Sequence, residues 1–434
     1  MDIRCEQRIL PNGLSVLVHE DHSCPIVAVN VWYHVGSKNE RPGRTGFAHL
    51  FEHLMFEGSA HHDRGYFQPL QAAGALLNGS TNADRTNYWE VVPTGGVELA
   101  LWMESDRMGY LLPALTAAKF ENQREVVLNE RRQNYENRPY GLASMAIVAA
   151  LFPAEHPYHW LTIGAADDLR AASLEDVRTF FATYYHAGNA SLAIGGAIDT
   201  SLAFDLAERY FGELPAGPAV EPVSASSNGV LLPRQLLEDR VELPRLYLAW
   251  HTPAMFAPGD AELDLVADLL ASGKTSRLYR RLVYESRLAT EIAAFQQSRE
   301  LSSFFQVIAT AAPGHTLAEL EAAIHEELAD LAAKGPTGEE LDRVRVQAEA
   351  QFVYRVQTVG GFGGKSDQLN AYQVFLGQPN FFSHDLARYL SVGPAHLANA
   401  ATDWLVRRPS IAVSVVPRGE TGLALADSIP AQVH

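Results

Sequence analysis

Two histidines and a glutamate within five residues, His49-Leu50-Phe51-Glu52-His53, are the side chains of this sequence best placed to do chemistry together. On a helix, His49 and His53 stand at i and i+4, one above the other on one face. Their imidazoles can then meet one Zn²⁺ at about 2.0–2.1 Å each. Glu52 sits beside such a metal, while Phe51, Leu54 and Met55 turn elsewhere and can anchor the helix in a core. A catalytic zinc needs a third protein ligand and one open position for water. The water's pKa then falls toward neutrality, and a carboxylate can take its proton. Glu52 suits that task, so the third ligand has to come from elsewhere. A structural zinc would leave Glu52 without a role, and the plainer alternative is a pair of ordinary helix histidines near a core.

The elements that must position these residues can be read from periodicity. Residues 7–34 read as strands, with Pro11-Asn12-Gly13 as a turn signal, and Ile26 to Tyr33 is β-rich. Residues 47–57 read as a helix ending at Gly58, with further helices at 97–110, 117–137 and 174–186 and an apolar strand at 189–194. Strands and helices mix without regular βαβ alternation, which favours an α+β class over a doubly wound sheet. Pro215, Pro218, Pro222 and a Ser-rich run ending in Asn228-Gly229 mark 216–232 as a linker between domains at 1–215 and 233–434.

The second half repeats the order of the first. Strand-like Leu246 to Trp250 precedes a helix near 260–271, whose core Asp264-Leu-Val-Ala-Asp268-Leu echoes His49-Leu-Phe-Glu-His53-Leu. Near the end, helix 395–406 precedes the strand-like run Ser410 to Val416, as helix 174–186 precedes its strand. The expectation is a duplication whose second copy has lost the chemistry: two homologous domains, each a mainly antiparallel sheet with helices on one face.

Composition fits a soluble globular chain too long for one core: 434 residues, 47% hydrophobic and 20% charged. A net charge of -17 argues against nucleic acid as the main partner. Two cysteines, Cys5 and Cys24, make no disulfide framework and are expected as free thiols. There is no apolar h-region after a basic start and no run long enough to span a bilayer. The expected compartment is the cytoplasm, or the periplasm if a signal was removed.

The segment around the histidines resembles the pitrilysin-type metallopeptidases (peptidase family M16), the inverted His-x-x-Glu-His zinc enzymes that include insulin-degrading enzyme and mitochondrial processing peptidase. Leu10-Pro11-Asn12-Gly13-Leu14, Val35-Gly36-Ser37 and Phe56-Glu57-Gly58-Ser59 extend the likeness. The resemblance implies a third ligand in a helix patterned Glu-Arg-x-Val-Ile-x-x-Glu. Gln123-Arg124-Glu125-Val126-Val127-Leu128-Asn129-Glu130 matches it and puts Glu130 in the ligand position, 77 residues after His53. Glu121 and Glu125 fit less well. The family often carries a second, catalysis-assisting glutamate where Gln123 stands, and glutamine can hydrogen-bond but not act as a base.

Asn78-Gly79-Ser80-Thr81, before Asp84 to Tyr88, resembles the family's edge strand, to which a peptide can add by main-chain hydrogen bonds. The plain alternative is a half-buried strand with a polar turn. The family's second half supplies a substrate-binding arginine and tyrosine seven residues apart. Aligned on Ser276-Arg277-Leu278 and Leu288, those positions hold Val283 and Thr290. Val283 cannot bind a carbonyl and Thr290 is too short to reach one. The implied remedy is a heterodimer in which a homologous chain brings the pair, unless Arg280, Arg281 or Tyr284 substitutes by a register shift.

Other signals carry less. Gly360 to Ser366 resembles a phosphate loop, but Val359 stands where its leading glycine belongs and a helical run precedes it, so a flexible glycine loop is expected. His61-His62 and His156 to His159 read as loop histidines, and the helices at 316–333 and 338–357 as packed surface helices. The expected activity is zinc-dependent hydrolysis of unfolded peptides by an endopeptidase or oligopeptidase. The alternatives are a non-catalytic core subunit of an assembly and a peptidase dedicated to one precursor.

Overall fold

The computed structural model describes residues 3–225 and 232–433. Of the segment read as a linker, 226–231 lie outside the described residues, and the described remainder carries no helix or strand.

Twelve strands among the described residues form two six-stranded sheets. The first holds β1 (Glu6–Ile9), β2 (Ser15–Glu20), β3 (Ile26–Tyr33), β4 (Leu76–Thr81), β5 (Thr86–Pro93) and β6 (Ala190–Gly196), in the order β1-β2-β6-β3-β5-β4. The second holds β7 (Arg234–Asp239), β8 (Arg245–Thr252), β9 (Ala289–Gln297), β10 (Ser303–Ala311), β11 (Ile411–Pro417) and β12 (Ile429–Pro430), in the order β12-β7-β11-β8-β10-β9. Apart from the edge strands β1 and β12, the first and last described strands of the chain, replacing each strand of the first sheet by its counterpart gives the second. In both, one inner pair is parallel (β2 with β6, β7 with β11) and the neighbouring pairs run antiparallel, apart from the short β12, which is parallel to β7. The fold is α+β, two copies of one mostly antiparallel unit.

Continuous burial along β3, β6 and β11 follows from their central places and from cover on both faces. On one face of the first sheet lie the helices Phe47–Leu54 and Val97–Ala114. On one face of the second lie Asp260–Ala271 and Leu317–Lys334, around a core of Leu248, Trp250, Leu265, Leu269, Phe305 and Leu328.

The opposite faces are covered by an exchange. The chain divides into two compact units, Met1–Asn129 with Thr162–Val223 and Gln351–Asp385, and Glu130–Leu161 with Ser224–Ala350 and Leu386–His434. A helix from the first half of the sequence, Ala143–Leu151, therefore packs on β8 and β11, and one from the second half, Lys365–Leu376, packs on β2, β3 and β6. The first is apolar almost all round, as a fully buried helix must be. The second is held by polar stitching. Asp367 accepts from Trp32 Nε1 at 2.8 Å, Asn87 Nδ2 at 2.9 Å and Asn30 Nδ2 at 3.3 Å, and from the Gly363 N–H at 2.8 Å. A buried carboxylate so fully hydrogen-bonded is stable only where all its donors are present. Among the described residues, no helix is long and apolar enough to cross a membrane.

Candidate metal centre

The histidine helix, Phe47–Leu54, begins where Gly46 takes a φ of +89°. A Cβ there would stand 2.9 Å from Leu169 Cδ2, so both conformation and space call for glycine. The buried Glu40 carboxylate accepts from the N–H groups of Gly46 at 2.9 Å and Ala48 at 2.8 Å, satisfying two donors the helix start leaves open. Thr45 is tied to Asp168 Oδ2 through its N–H at 3.0 Å and its hydroxyl at 2.7 Å. Behind the helix, Phe51 packs on Phe180, Phe181 and Tyr185 at centroid distances of 5.9, 5.5 and 5.2 Å. The outward face is left with His49, Glu52 and His53, all half-buried. The two imidazole centroids stand 4.8 Å apart, edge to face.

The glutamate helix spans Ala117–Arg131 and is anchored by Phe120, Val127 and Leu128. It ends sooner than its periodicity suggests. After Arg131 the backbone widens into a π turn, closed by the Asn137 N–H on Arg132 O at 2.8 Å. Glu130 is half-buried near the end of the regular helix, whereas Glu121 and Glu125 are exposed. The helix carries Glu130 to the histidines: the ligand atoms of His49, His53 and Glu130 all lie within 4.8 Å of one another. Two imidazoles and one carboxylate are a donor set that zinc takes, with a fourth position left over. The other such group among the described residues, Glu20, His22 and Asp199, is fully exposed.

Around this cluster, Gln123 donates its side-chain amide to Glu57, and Asn134 Nδ2 donates to Glu130 Oε1 at 3.2 Å. Arg85 is a neighbour to which the sequence reading gave no role. Its guanidinium lies over the Trp32 ring at 5.2 Å and donates to Ser80 O at 2.9 Å and Ser80 Oγ at 2.7 Å. Burial lowers its pKa, and the charges of Asp367 and Glu52 pull the other way, so it stands within electrostatic reach of Glu52. Position 85 lies between strand residues and fits no metal or nucleophile pattern, so no sequence signal singled it out. Burial, and then the charge of Glu130, raises the Tyr135 phenol above its ordinary value.

Asn78, Gly79, Ser80 and Thr81 lie in β4, which stands at the end of its sheet and pairs with β5 alone among the described strands. Asn78 is exposed and accepts from the Gly79 N–H at 2.8 Å. A Cβ at Gly79 would stand 2.9 Å from Tyr88 and 3.1 Å from the Phe56 ring, so the strand needs glycine there to lie flat on the core. In the second unit, Val283 packs against the core and Thr290 is exposed on β9. Arg280 pairs with Glu285 at 3.3 Å and Arg281 with Glu326 and, at 3.4 Å, Glu327, while Tyr284 is exposed.

The loop histidines stand outside both metal-type groups. His61 Nδ1 donates to Asp106 at 2.5 Å, His62 bonds Gly65 O, and His159 Nδ1 donates to Phe152 O at 2.7 Å. Burial pushes His156 down to about 4. The glycine segment 360–364 follows the helix Gly338–Gln357 and presents Phe362 edge-on to Trp89 at 5.4 Å.

Comparison with known proteins bears on the whole chain. Residues 15–157, which contain His49, Glu52, His53 and Glu130, match the family described as Insulinase (Peptidase family M16), and residues 171–347 match the Peptidase M16 inactive domain. A relative named zinc protease PqqE, from Helicobacter pylori, is 29% identical over 83% of this chain and 82% of its own. A probable mitochondrial-processing peptidase subunit beta from Arabidopsis thaliana is 26% identical over 74% of this chain and 62% of its own. Among solved structures, a protease from Helicobacter pylori superposes with a TM-score of 0.85 at 25% identity, covering 96% of this chain and all of that one (100%). A peptidase M16 inactive domain from Pseudomonas fluorescens shares the fold, with a TM-score of 0.83 at 19% identity over 99% of this chain and 100% of that one. The chain belongs to the insulinase family of peptidases, family M16.

Proposed function

We propose that this chain is a zinc-dependent endopeptidase or oligopeptidase acting on unfolded peptides, with the catalytic site in residues 1–215 and a homologous, metal-free domain at 233–434. The observation that carries the reading is the convergence of His49, His53 and Glu130 beside Glu52. These three residues would hold Zn²⁺, and relatives named zinc proteases support that choice of metal. Bound zinc supplies Lewis acidity toward the scissile carbonyl and a water of lowered pKa. Glu52 then moves the proton: its carboxylate takes it from the attacking water and hands it to the leaving amine. The edge of β4 at Asn78, Gly79, Ser80 and Thr81 would take the peptide as an added strand, by main-chain bonds that ignore most side chains.

Val283 and Thr290 stand where the family's arginine and tyrosine are expected. We assign the chain the catalytic place in a two-chain enzyme whose homologous partner brings that pair. One relative is itself named as a subunit. Zinc content and hydrolysis of a quenched-fluorescent peptide library, read on the same sample with Glu52→Gln as control, test both statements. Zinc near one per chain with Glu52-dependent turnover by the chain alone retires the partner. A chain that binds no zinc and stays inactive with every partner is a core subunit instead.

A further inference from the structure

The second unit contains a cavity of about 550 Å³ that nothing above uses. It lies over β8, β9 and β10 and is bounded by the segment that continues beyond Glu130. Its lining includes Arg138, Arg245 and Arg299, interleaved with Tyr140, Tyr247 and Phe304, and no Asp or Glu. In a chain with 51 acidic and 34 basic residues, a concave surface with three arginines and no carboxylate is a pronounced local reversal of charge.

The site is built, not merely left over. Tyr140 takes a φ of +61°, a conformation that an ordinary residue keeps only where its surroundings enforce it. Here its N–H donates to Asp239 Oδ2 at 2.7 Å, its hydroxyl donates to Leu243 O at 2.9 Å, and the Arg245 guanidinium lies over its ring at 3.8 Å. Arg299 lies over Tyr158 at 5.1 Å and Phe304 at 5.0 Å. Aromatic faces fix the planes of two guanidinium groups, so less freedom remains to be lost when they meet a ligand. Three carboxylates stand beside the cavity without lining it: Glu130, bonded by the lining Asn134, and Glu291 and Asp239. Glu291 accepts from Arg245 Nη2 at 2.7 Å with its own side chain 63% exposed, and Asp239 accepts the backbone N–H groups of Tyr140 and Arg240. Glu291 offsets the charge of Arg245.

We infer that this cavity is a subsite for a peptide carboxylate, either an Asp or Glu side chain or the free C-terminus of the substrate. Planar guanidinium forks match a carboxylate in geometry and charge, and the aromatic rings accept the apolar stem that carries it. The net charge of -17 repels anionic peptides at a distance, so preference for a carboxylate has to come from a local site such as this. Asn134 both lines the cavity and donates to Glu130, so one side chain links the cavity to the residue proposed as third metal ligand. The inference rests on the peptidase reading for its substrate, but its test does not depend on turnover.

The test is binding to the zinc-loaded Glu52→Gln chain, followed by fluorescence anisotropy with one labelled octapeptide in four forms: with Glu residues or with Gln, each with a free or an amidated C-terminus. Loss of the carboxylate that is recognised weakens binding by about tenfold. A drop on amidation assigns the C-terminus, and a drop on Glu-to-Gln replacement assigns the side chain. Arg138→Gln and Arg245→Gln, added singly, bring the favoured peptide down to the affinity of the neutral one. Arg138 is exposed, so its variant carries the test even if loss of Arg245 unfolds the chain. Equal affinity for all four peptides overturns the inference, as does a carboxylate preference that survives both arginine changes. Hydrolysis by the wild-type chain, alone and with homologous partner chains, is read in parallel: turnover with indifferent binding sinks the subsite alone, and carboxylate-dependent binding without turnover in any of these mixtures sinks the peptidase reading alone.

Discussion

Asn134 Nδ2 donates to Glu130 Oε1 at 3.2 Å across the start of the π turn, so the carboxylate proposed as third metal ligand is oriented by the segment that follows its own helix. Outer-shell partners of this kind set the direction and basicity of a ligand. Asn134→Ala is expected to weaken zinc binding by about tenfold while leaving the fold intact. Competition with a chromogenic chelator measures it. An unchanged zinc affinity would mean that Glu130 holds its place without this contact.

Glu52→Gln separates chemistry from assembly. Glutamine keeps the shape and one acceptor but cannot carry a proton. Zinc content should stay at the wild-type level and kcat should fall by about 10²–10⁴. Chelation should abolish wild-type turnover and added Zn²⁺ should restore it. Retention of full activity in the variant would remove Glu52 from the reaction.

Arg107 is fully buried among Tyr66, Tyr88 and Phe56 and pairs with Glu104 and with Glu90 at 3.4 Å. Burial, and then the neighbouring Glu104, pushes the Glu90 carboxyl well above the usual range. Arg107→Met leaves two buried carboxyls without their cation and should cost about 3–5 kcal/mol. The cluster lies under Phe56 and Tyr88, which flank Gly79 of the edge strand. A thermal midpoint within a degree of wild type would contradict the prediction.

Asp264 gives a pH dependence of known sign. Burial, and then the adjacent Asp260, raises its pKa from 3.8 to about 7, while the Tyr389 hydroxyl donates to it at 2.8 Å and pulls the other way. A carboxyl with a raised folded-state pKa holds more protons folded than unfolded between those two values. Its contribution is therefore present below pH 3.8 and lost as pH rises to about 7. Asp264→Asn should flatten the fall in thermal midpoint across that window. An identical slope in wild type and variant would assign the dependence to other groups.

Much of the site was legible because it is local. The spacing of His49, Glu52 and His53 fixes one helical face, and the β-rich apolar run 26–33 marks a strand before it. Glu130 came from likeness to a family, since nothing in its own neighbourhood distinguishes it from Glu121 or Glu125. Their exposure separates them only once the glutamate helix is docked. The widening at Arg132–Glu136 was invisible, because a π turn uses the same residue types as the helix it follows. The repeat was visible in the order of elements, and the matching strand orders now account for it. The exchanged helices were not. Ala143–Leu151 announces burial by its composition, but an apolar face does not say which sheet it will cover. Asp367 meets Trp32 and Asn87 from 335 and 280 residues away, a pairing that no local pattern encodes.

That exchange makes the halves interdependent. Residues 1–225 produced alone would leave a face of the first sheet bare and the apolar helix Ala143–Leu151 without its sheet. Each half alone should aggregate, and the two co-expressed should be recovered together as a soluble pair. Recovery of either half alone as a stable monomer would contradict this.

The same crossover bears on ancestry. A forebear of half this length could have covered its sheet only by lending its helix to a second copy and borrowing that copy's in return, as swapped dimers do. Joining two such chains end to end preserves every loan. Once joined, one copy could do without a histidine pair and keep the scaffold, so the half that carries His49 and His53 folds around a helix from the half that has aspartates in the echoing positions.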